Sequence, residues 1–324
     1  MSCHLLCLGF GYSARALARI LGPDWSITGT SRGGEPCAVS MGASFRWFRF
    51  DRDHPLEPAA FAGVTHILIS VPPDEAGDPV LDRHRDDVAA ISNLAWLGYL
   101  STTGVYGNRD GGWVDENLEL SPSGARGRRR AAAEAAWLDL CRGCGLPVHV
   151  FRLAGIYGPG RSPFDALRAA TAKRIDKPGQ MFSRIHVDDI ANVLMASIAR
   201  PRPGAVYNVC DDEPAASADV ITHAAELLGM PAPPLVSFEA GLSLMARSFY
   251  DDNKRVSNAL IKAELGVSLR YPTYRDGLAA ILAAEAIQSQ AGLEACPAPR
   301  HPASSGPAGG RGAASATDPA KEEG

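Results

Sequence analysis

Three groups of residues have types and spacings that could do chemistry. The first is Gly9-Phe10-Gly11-Tyr12-Ser13-Ala14, a G-x-G-x-x-A run between an apolar stretch and one rich in Ala, Leu and Arg. Glycine at the first position permits a tight turn, and at the second it lets backbone N–H groups approach a pyrophosphate at a helix start. The second group is Thr102 and Tyr106 in LSTTGVYG, followed by the basic run PSGARGRRRAAAE at Pro122–Glu134. A phenol such as that of Tyr106 is a group that can exchange a proton with a substrate. Arg126 and Arg130 would share a helix face and could bind an anion, but guanidinium stays protonated and accepts no hydrogen bond. The third group is Tyr157 with Arg161 and Arg184, the two arginines having guanidinium forks that suit a phosphate or carboxylate.

These groups sit at the ends of a regular series of elements. Short apolar runs at residues 4–9, 26–30, 45–50, 66–71, 96–101 and 148–153 read as strands. Helical patterns fall between them at residues 12–21, 79–93 and 126–142. Strands alternating with helices predict a parallel sheet covered on both faces. Beyond residue 155 the rhythm loosens. Helices are expected at 188–199, 217–228 (with Ser217 as N-cap), 254–265 and 274–288, and a strand at 205–209. The expected organisation is a core over residues 1–155 and a smaller substrate lobe over 156–288. A Pro/Ala/Gly/Ser-rich tail at 289–324 cannot bury enough apolar surface to fold. No internal repeat is present.

The glycine run follows the first strand and opens a helix, the context that makes it a dinucleotide signature. The second strand ends in Thr28-Gly29-Thr30-Ser31-Arg32, with no carboxylate to hold both ribose hydroxyls. A hydroxyl beside a guanidinium suits a 2′-phosphate, so NADP(H) is expected ahead of NAD(H). The cofactor would be held by Gly9, Phe10, Gly11, Tyr12, Ser13, Ser31 and Arg32. Asp51 could reach the adenine amino group, and Ser70, Val71 and Pro72 the adenosine-ribose side.

Composition narrows the remaining possibilities. The 324 residues carry 32 Lys and Arg against 36 Asp and Glu, a net charge of -4, so nothing draws the chain toward nucleic acid or anionic membrane. No apolar run reaches the ~18 residues of a membrane span. The N-terminus lacks a basic leader and a cleavage site, so no signal peptide is expected. Seven scattered cysteines suit a reducing cytoplasm better than a disulfide framework. Cys141-Arg-Gly-Cys144 has redox spacing but is expected at a helix end, where a thioredoxin-type pair would not sit. No metal site is expected.

With further segments, these motifs carry a family likeness. YLSTTGVYG, GGWVDE, FRLAGIYGPG, RIHVDDI and YNV occur in that order, and over roughly residues 4–285 the chain resembles the extended short-chain dehydrogenase/reductases. That family includes NAD-dependent epimerases and dehydratases of nucleotide sugars. The resemblance implies a doubly wound, parallel-sheet Rossmann α/β fold with a small C-terminal substrate lobe. It also implies a nicotinamide cofactor, a small-molecule substrate and a plausible homodimer. Thr102 would orient the substrate oxygen. Where the family carries Tyr-x-x-x-Lys, this chain has Arg126 and Arg130, so the usual proton relay is missing. Arg130 could still bond the nicotinamide ribose.

Three readings of the basic run stay open. Its arginines are a solvated helix start with Arg130 paired to Glu134. Alternatively, Arg126 and Arg130 bind an anionic substrate group. In the third reading they assist a relocated acid, with Tyr106 preferred over Tyr157 or His186. Arg161, Arg184 and Lys254-Arg255 lie where the resemblance places the substrate pocket. His186 and Asp189 are expected to serve the fold. The expected activity is an atypical NAD(P)-dependent oxidoreductase or epimerase/dehydratase on an anionic carbonyl or alcohol. The rival is a non-catalytic NADP(H)-binding sensor, since a fold does not entail its activity.

Overall fold

The computed structural model describes residues 3–33, 44–241, 247 and 250–294. Strand β1 (Cys3–Leu8) leads into helix α1 (Tyr12–Ile20), β2 (Trp25–Ser31), β3 (Phe45–Arg49) and β4 (His66–Ile69). Helix α2 (Pro79–Ala89), β5 (Trp96–Thr102), a 3-10 turn over Thr103–Tyr106 and the short β6 (Trp113–Val114) follow. After them come α3 (Ala125–Cys144) and β7 (Val148–Leu153). The later chain supplies β8 (Gly155–Tyr157), α4 (Pro163–Arg168), β9 (Arg174–Asp176), β10 (Arg184–His186) and α5 (Val187–Ala199). Beyond these lie β11 (Val206–Val209), α6 (Ser217–Leu227), β12 (Leu235–Ser237), β13 (Arg255–Val256) and helices Ala259–Leu265 and Tyr274–Glu294.

Seven strands form one parallel sheet in the order β11-β7-β5-β4-β1-β2-β3. Side chains alternate across β1. Leu5 and Cys7 join a core with Phe10, Leu17, Phe151 and the α5 residues Ile190 and Leu194. Leu6 and Leu8 face the other way, onto Val80 and Val88 of α2 and Trp137 of α3. Burial on both faces explains why β4 and β7 carry apolar residues at successive positions and not only at alternate ones. The chain builds β2 and β3 on one side of β1, then crosses to place β4 on the other. Ligands bind doubly wound sheets at such a reversal, outside the carboxyl ends of the strands.

A smaller core gathers Tyr157, Phe164, Leu167, Val220, Ala224, Tyr274 and Leu278, all from segments after residue 155. Residues Met1–Ala284 form one compact unit and Glu285–Gly324 a second. The expected disordered tail lies, from residue 295, outside the described residues. Among the described residues no helix is long and apolar enough to cross a membrane.

Local expectations needed correction in three places. Ser217 is the first residue of α6, and the cap position is Ala216, which makes no side-chain cap bond. The expected helix from 254 begins at Ala259, because Arg255–Val256 pairs with Trp113–Val114 instead. The short α4 went unforeseen. Ser162 caps it by accepting from the Phe164 amide, with Pro163 at its first position.

Candidate active site

The glycine turn is shaped around an opening. Gly9 takes φ = 91°, and a Cβ there would lie 2.6 Å from Ser70 Oγ. Ser70 Oγ donates to the Gly9 carbonyl at 2.6 Å, while the Gly9 amide donates to Thr30 Oγ1 at 2.8 Å. Phe10 is buried against Phe45 and Trp47. Gly11 differs, since no atom lies within 4 Å of where its Cβ would be. It is also the N-cap of α1 and makes no side-chain cap bond. Space is therefore open beside Gly11 at the start of α1, whose first amides take no side-chain cap from it, and a pyrophosphate fits such a helix start. The residues present thus fit a dinucleotide.

Of the expected adenosine-side contacts, Ser70, Val71 and Pro72 leave the end of β4 beside Gly9. Ser31 and Arg32 close β2. Ser31 Oγ donates to the Gly33 carbonyl at 2.6 Å, whereas Arg32 is exposed with no partner among the described residues. Asp51 is more committed than expected. Its Oδ1 accepts from the His54 ring at 2.7 Å and from the amides of Asp53 and His54 at 2.9 and 3.0 Å. The His54 bond is the main reason its carboxyl is held below the usual range.

Tyr12 does more than line the turn. Its hydroxyl donates to the Pro159 carbonyl at 2.9 Å, tying the start of α1 to the segment after β8. Gly158 must stay small there, because a Cβ would come within 2.4 Å of that hydroxyl. The exposed Arg161 guanidinium stands 5.9 Å from the Tyr12 ring centroid and forms no hydrogen bond or ion pair among the described residues. Arg161 thus lies beside the glycine turn.

At the end of β5, Thr102 Oγ1 accepts one bond, from the Gly104 amide at 3.1 Å, and its O–H donates to no group among the described residues. The first turn of α3 presses onto this 3-10 turn. A Cβ on Gly127 would lie 3.0 Å from the Gly104 carbonyl, so only glycine allows the approach. This contact brings the start of α3, which carries Arg126 and Arg130, against the turn that follows Thr102. Arg126 is exposed and unpartnered among the described residues. Arg130 is half-buried, and its Nη1 donates to the Leu100 carbonyl at 2.8 Å and to the Tyr99 hydroxyl at 3.2 Å.

Arg130 is not paired with Glu134, as the solvated-helix reading expected. Glu134 is buried and bonded to Arg152, whose Nη2 and Nε reach Oε2 at 2.9 and 3.1 Å. Ser101 Oγ donates to Glu134 Oε1. Arg152 Nη1 continues to the Tyr106 hydroxyl at 2.9 Å, and that hydroxyl donates to Asn208 Oδ1 at 2.8 Å. Tyr106, expected as the acid, is 0% exposed and has spent both its hydrogen-bonding roles inside the protein. Burial pushes its pKa up, with Arg152 acting the other way. It positions the turn and does not face the open site. The network escaped sequence reasoning, although Arg152 within the apolar run VHVFRL was a signal, since a buried cation demands a partner.

Tyr157 and Arg184 also turn inward. Tyr157 is buried, with its hydroxyl on the Thr273 carbonyl at 3.3 Å. Arg184 Nη1 donates to the carbonyls of Phe182 and Ala215 at 2.8 and 2.9 Å. Both belong to a polar cluster around Asp211, which is 1% exposed with neither carboxylate oxygen bonded. Burial pushes the Asp211 carboxyl up to about 8, with Arg184 opposing. Their substrate roles therefore give way to structural ones. His186 and Asp189 serve the fold as expected: His186 Nδ1 accepts from the Asp188 amide, and Asp189 accepts from the amides of Arg270 and Tyr271 at 2.7 and 2.9 Å. Lys254 and Arg255 hold the loop after Tyr106, bonding the carbonyls of Gly107 and Gly111. Cys141 and Cys144 are free at the C-terminus of α3, and no group of three or more His, Cys, Asp or Glu among the described residues could hold a metal.

Comparison with known proteins agrees with this geometry. Residues 87–210, which include Thr102, Arg126, Arg130 and Arg152, match the model of the NAD dependent epimerase/dehydratase family. The match spans that segment of the chain, from within α2 to the residue after β11. A functionally unknown conserved protein from Silicibacter pomeroyi DSS is 53% identical and superposes with a TM-score of 0.79, over 87% of this chain and 99% of that one. Protein YeeZ of Escherichia coli K12 is 25% identical over 277 residues, 82% of this chain and 95% of its own. MoeE5, solved in complex with UDP-glucuronic acid and NAD, is 20% identical with a TM-score of 0.68, covering 88% of this chain and 99% of its own. That likeness shows the shared fold.

Proposed function

We propose that this protein is an NADP(H)-using oxidoreductase or epimerase/dehydratase acting on a small, anionic carbonyl or alcohol such as a nucleotide sugar. The observation that carries the reading is the open, uncapped start of α1 at Gly11, facing the same end of the sheet as Thr102. Gly9, Phe10, Gly11, Tyr12 and Ser13 would hold the pyrophosphate by backbone, and Ser70–Pro72 the adenosine side. Arg32, unpartnered among the described residues, favours a 2′-phosphate, because no carboxylate stands at the end of β2 to take the ribose hydroxyls. Bound there, the nicotinamide supplies or receives hydride.

The chain's own part is orientation and charge. Thr102 donates its free proton as a hydrogen bond to the substrate oxygen. Arg126, exposed beside it, holds the anionic group, and the unused donors of Arg130 serve the ribose or substrate. A non-catalytic NADP(H) sensor is the second reading, favoured by the withdrawal of Tyr106 into the interior. Nothing in the reading requires a membrane or nucleic acid, and it includes a cytoplasmic homodimer, which sedimentation would read directly.

The test combines calorimetry with NADPH and a search for transferred label. Protein and NADPH deuterated at C4 would be incubated with a metabolite extract and examined by mass spectrometry. Deuterium in a metabolite that disappears with Thr102→Ala supports the enzyme. Tight cofactor binding with no label in any fraction points to the sensor.

A further inference from the structure

The residues around Thr102 can donate hydrogen bonds but cannot readily give up a proton. Thr102 offers one O–H, and its oxygen accepts from the Gly104 amide. Among the described residues Arg126 has no partner, and Arg130 has only Nη1 in hydrogen bonds. Guanidinium keeps its proton at any physiological pH. The nearby groups that could act as acids are sealed. The Tyr106 hydroxyl lies between Arg152 and Asn208, Glu134 is bound by Ser101 and Arg152, and burial raises the Tyr99 phenol, on which Arg130 rests. Such a set of donors matches an oxyanion site.

Resting on the dinucleotide reading above, we propose that the substrate is a conjugated carbonyl compound, reduced to a delocalised oxyanion that this site holds without protonating. A saturated ketone would yield a strongly basic alkoxide, which needs an acid at once. A conjugated acceptor does not. Hydride from reduced nicotinamide forms the new C–H bond at the β-carbon, and the displaced π pair becomes an enolate. Thr102 O–H and Arg126 N–H bond the enolate oxygen, and solvent water later protonates the α-carbon. Two electrons pass from dinucleotide to substrate, and one proton comes from water. Arg126 and Arg130 thus stand where the family's tyrosine and lysine would be because charge, not a proton, must be supplied.

The inference can be tested without the natural substrate by titrating 4-nitrophenol in the presence of NADP+-loaded, full-length protein. Its phenolate is read by visible absorbance, and cofactor binding is followed by calorimetry. Oxyanion stabilisation should raise the ionisation constant of the bound phenol about tenfold or more, the effect of a charge-assisted hydrogen bond. Arg126→Ala, at an exposed and unpartnered position, should remove most of that shift, and Arg126→Lys should restore part. A probe that titrates as it does in buffer, or is pushed toward the neutral phenol, overturns the inference while leaving cofactor binding intact. Failure of the protein to bind either dinucleotide would instead remove the reading beneath it.

Discussion

Replacing Asp211 with Asn should reverse the order of stability between acid and neutral pH. The wild-type carboxyl is 1% exposed with both oxygens unbonded, and burial lifts it to about 8. In the unfolded chain it ionises near ~4. Between those values the folded state keeps a proton that the unfolded state releases, so stability is fully present below pH ~4 and is lost as pH rises toward 8. At about 1.4 kcal/mol per unit, the loss reaches about 4 kcal/mol at pH 7, a large share of a typical ~5–15 kcal/mol. Asparagine does not titrate. Its buried amide costs about 1–3 kcal/mol at every pH, so the variant should be the weaker protein at pH 4 and the stronger at pH 8. Urea unfolding followed by tryptophan fluorescence at pH 4, 5, 6, 7 and 8 would read the two curves. Parallel curves would refute the reasoning. A variant weaker by about 3–5 kcal/mol at neutral pH would mean that the carboxylate is ionised against Arg184.

Further substitutions probe the remaining parts. Gly9→Ala, with φ = 91° and Ser70 in the way, should lower the thermal midpoint. Gly11→Val should keep it and weaken NADPH binding by about tenfold or more, because its side chain enters the space left for phosphate; normal binding in calorimetry would move the cofactor elsewhere. Arg32→Ala should weaken NADPH by about tenfold while leaving NADH nearly unchanged, as loss of one charge-assisted phosphate contact predicts. Equal weakening would contradict the 2′-phosphate assignment. Glu134→Ala strands the buried Arg152 and should cost about 3–5 kcal/mol in urea unfolding. A loss under 1 kcal/mol would show that Arg152 finds water or another partner.

Much of the architecture was legible along the chain because its signals are local. The runs that became β1, β4 and β7 are apolar on both faces because the parallel sheet buries both, and the glycine turn announces itself by adjacent residues. The substitution of arginines at Arg126 and Arg130 could be read before any geometry. Elements whose partners are distant were not legible. Arg255–Val256 looked helical until its pairing with Trp113–Val114 was known.

The sequence by itself determined the doubly wound order of elements, the dinucleotide turn and the absence of a Tyr-x-x-x-Lys pair, since each depends on neighbouring residues. Only the tertiary structure decided which polar side chains face the site. Tyr106 and Thr102 are four residues apart, yet one hydroxyl is consumed by Arg152 and Asn208 while the other keeps a free proton. Arg152 and Arg126 carry the same charge, but one is buried on Glu134 and the other stands open. Those outcomes depend on residues brought together from β5, α3, β7 and β11. Burial makes an unpaired charge too costly, and each buried group therefore takes its role from the partner that packing provides.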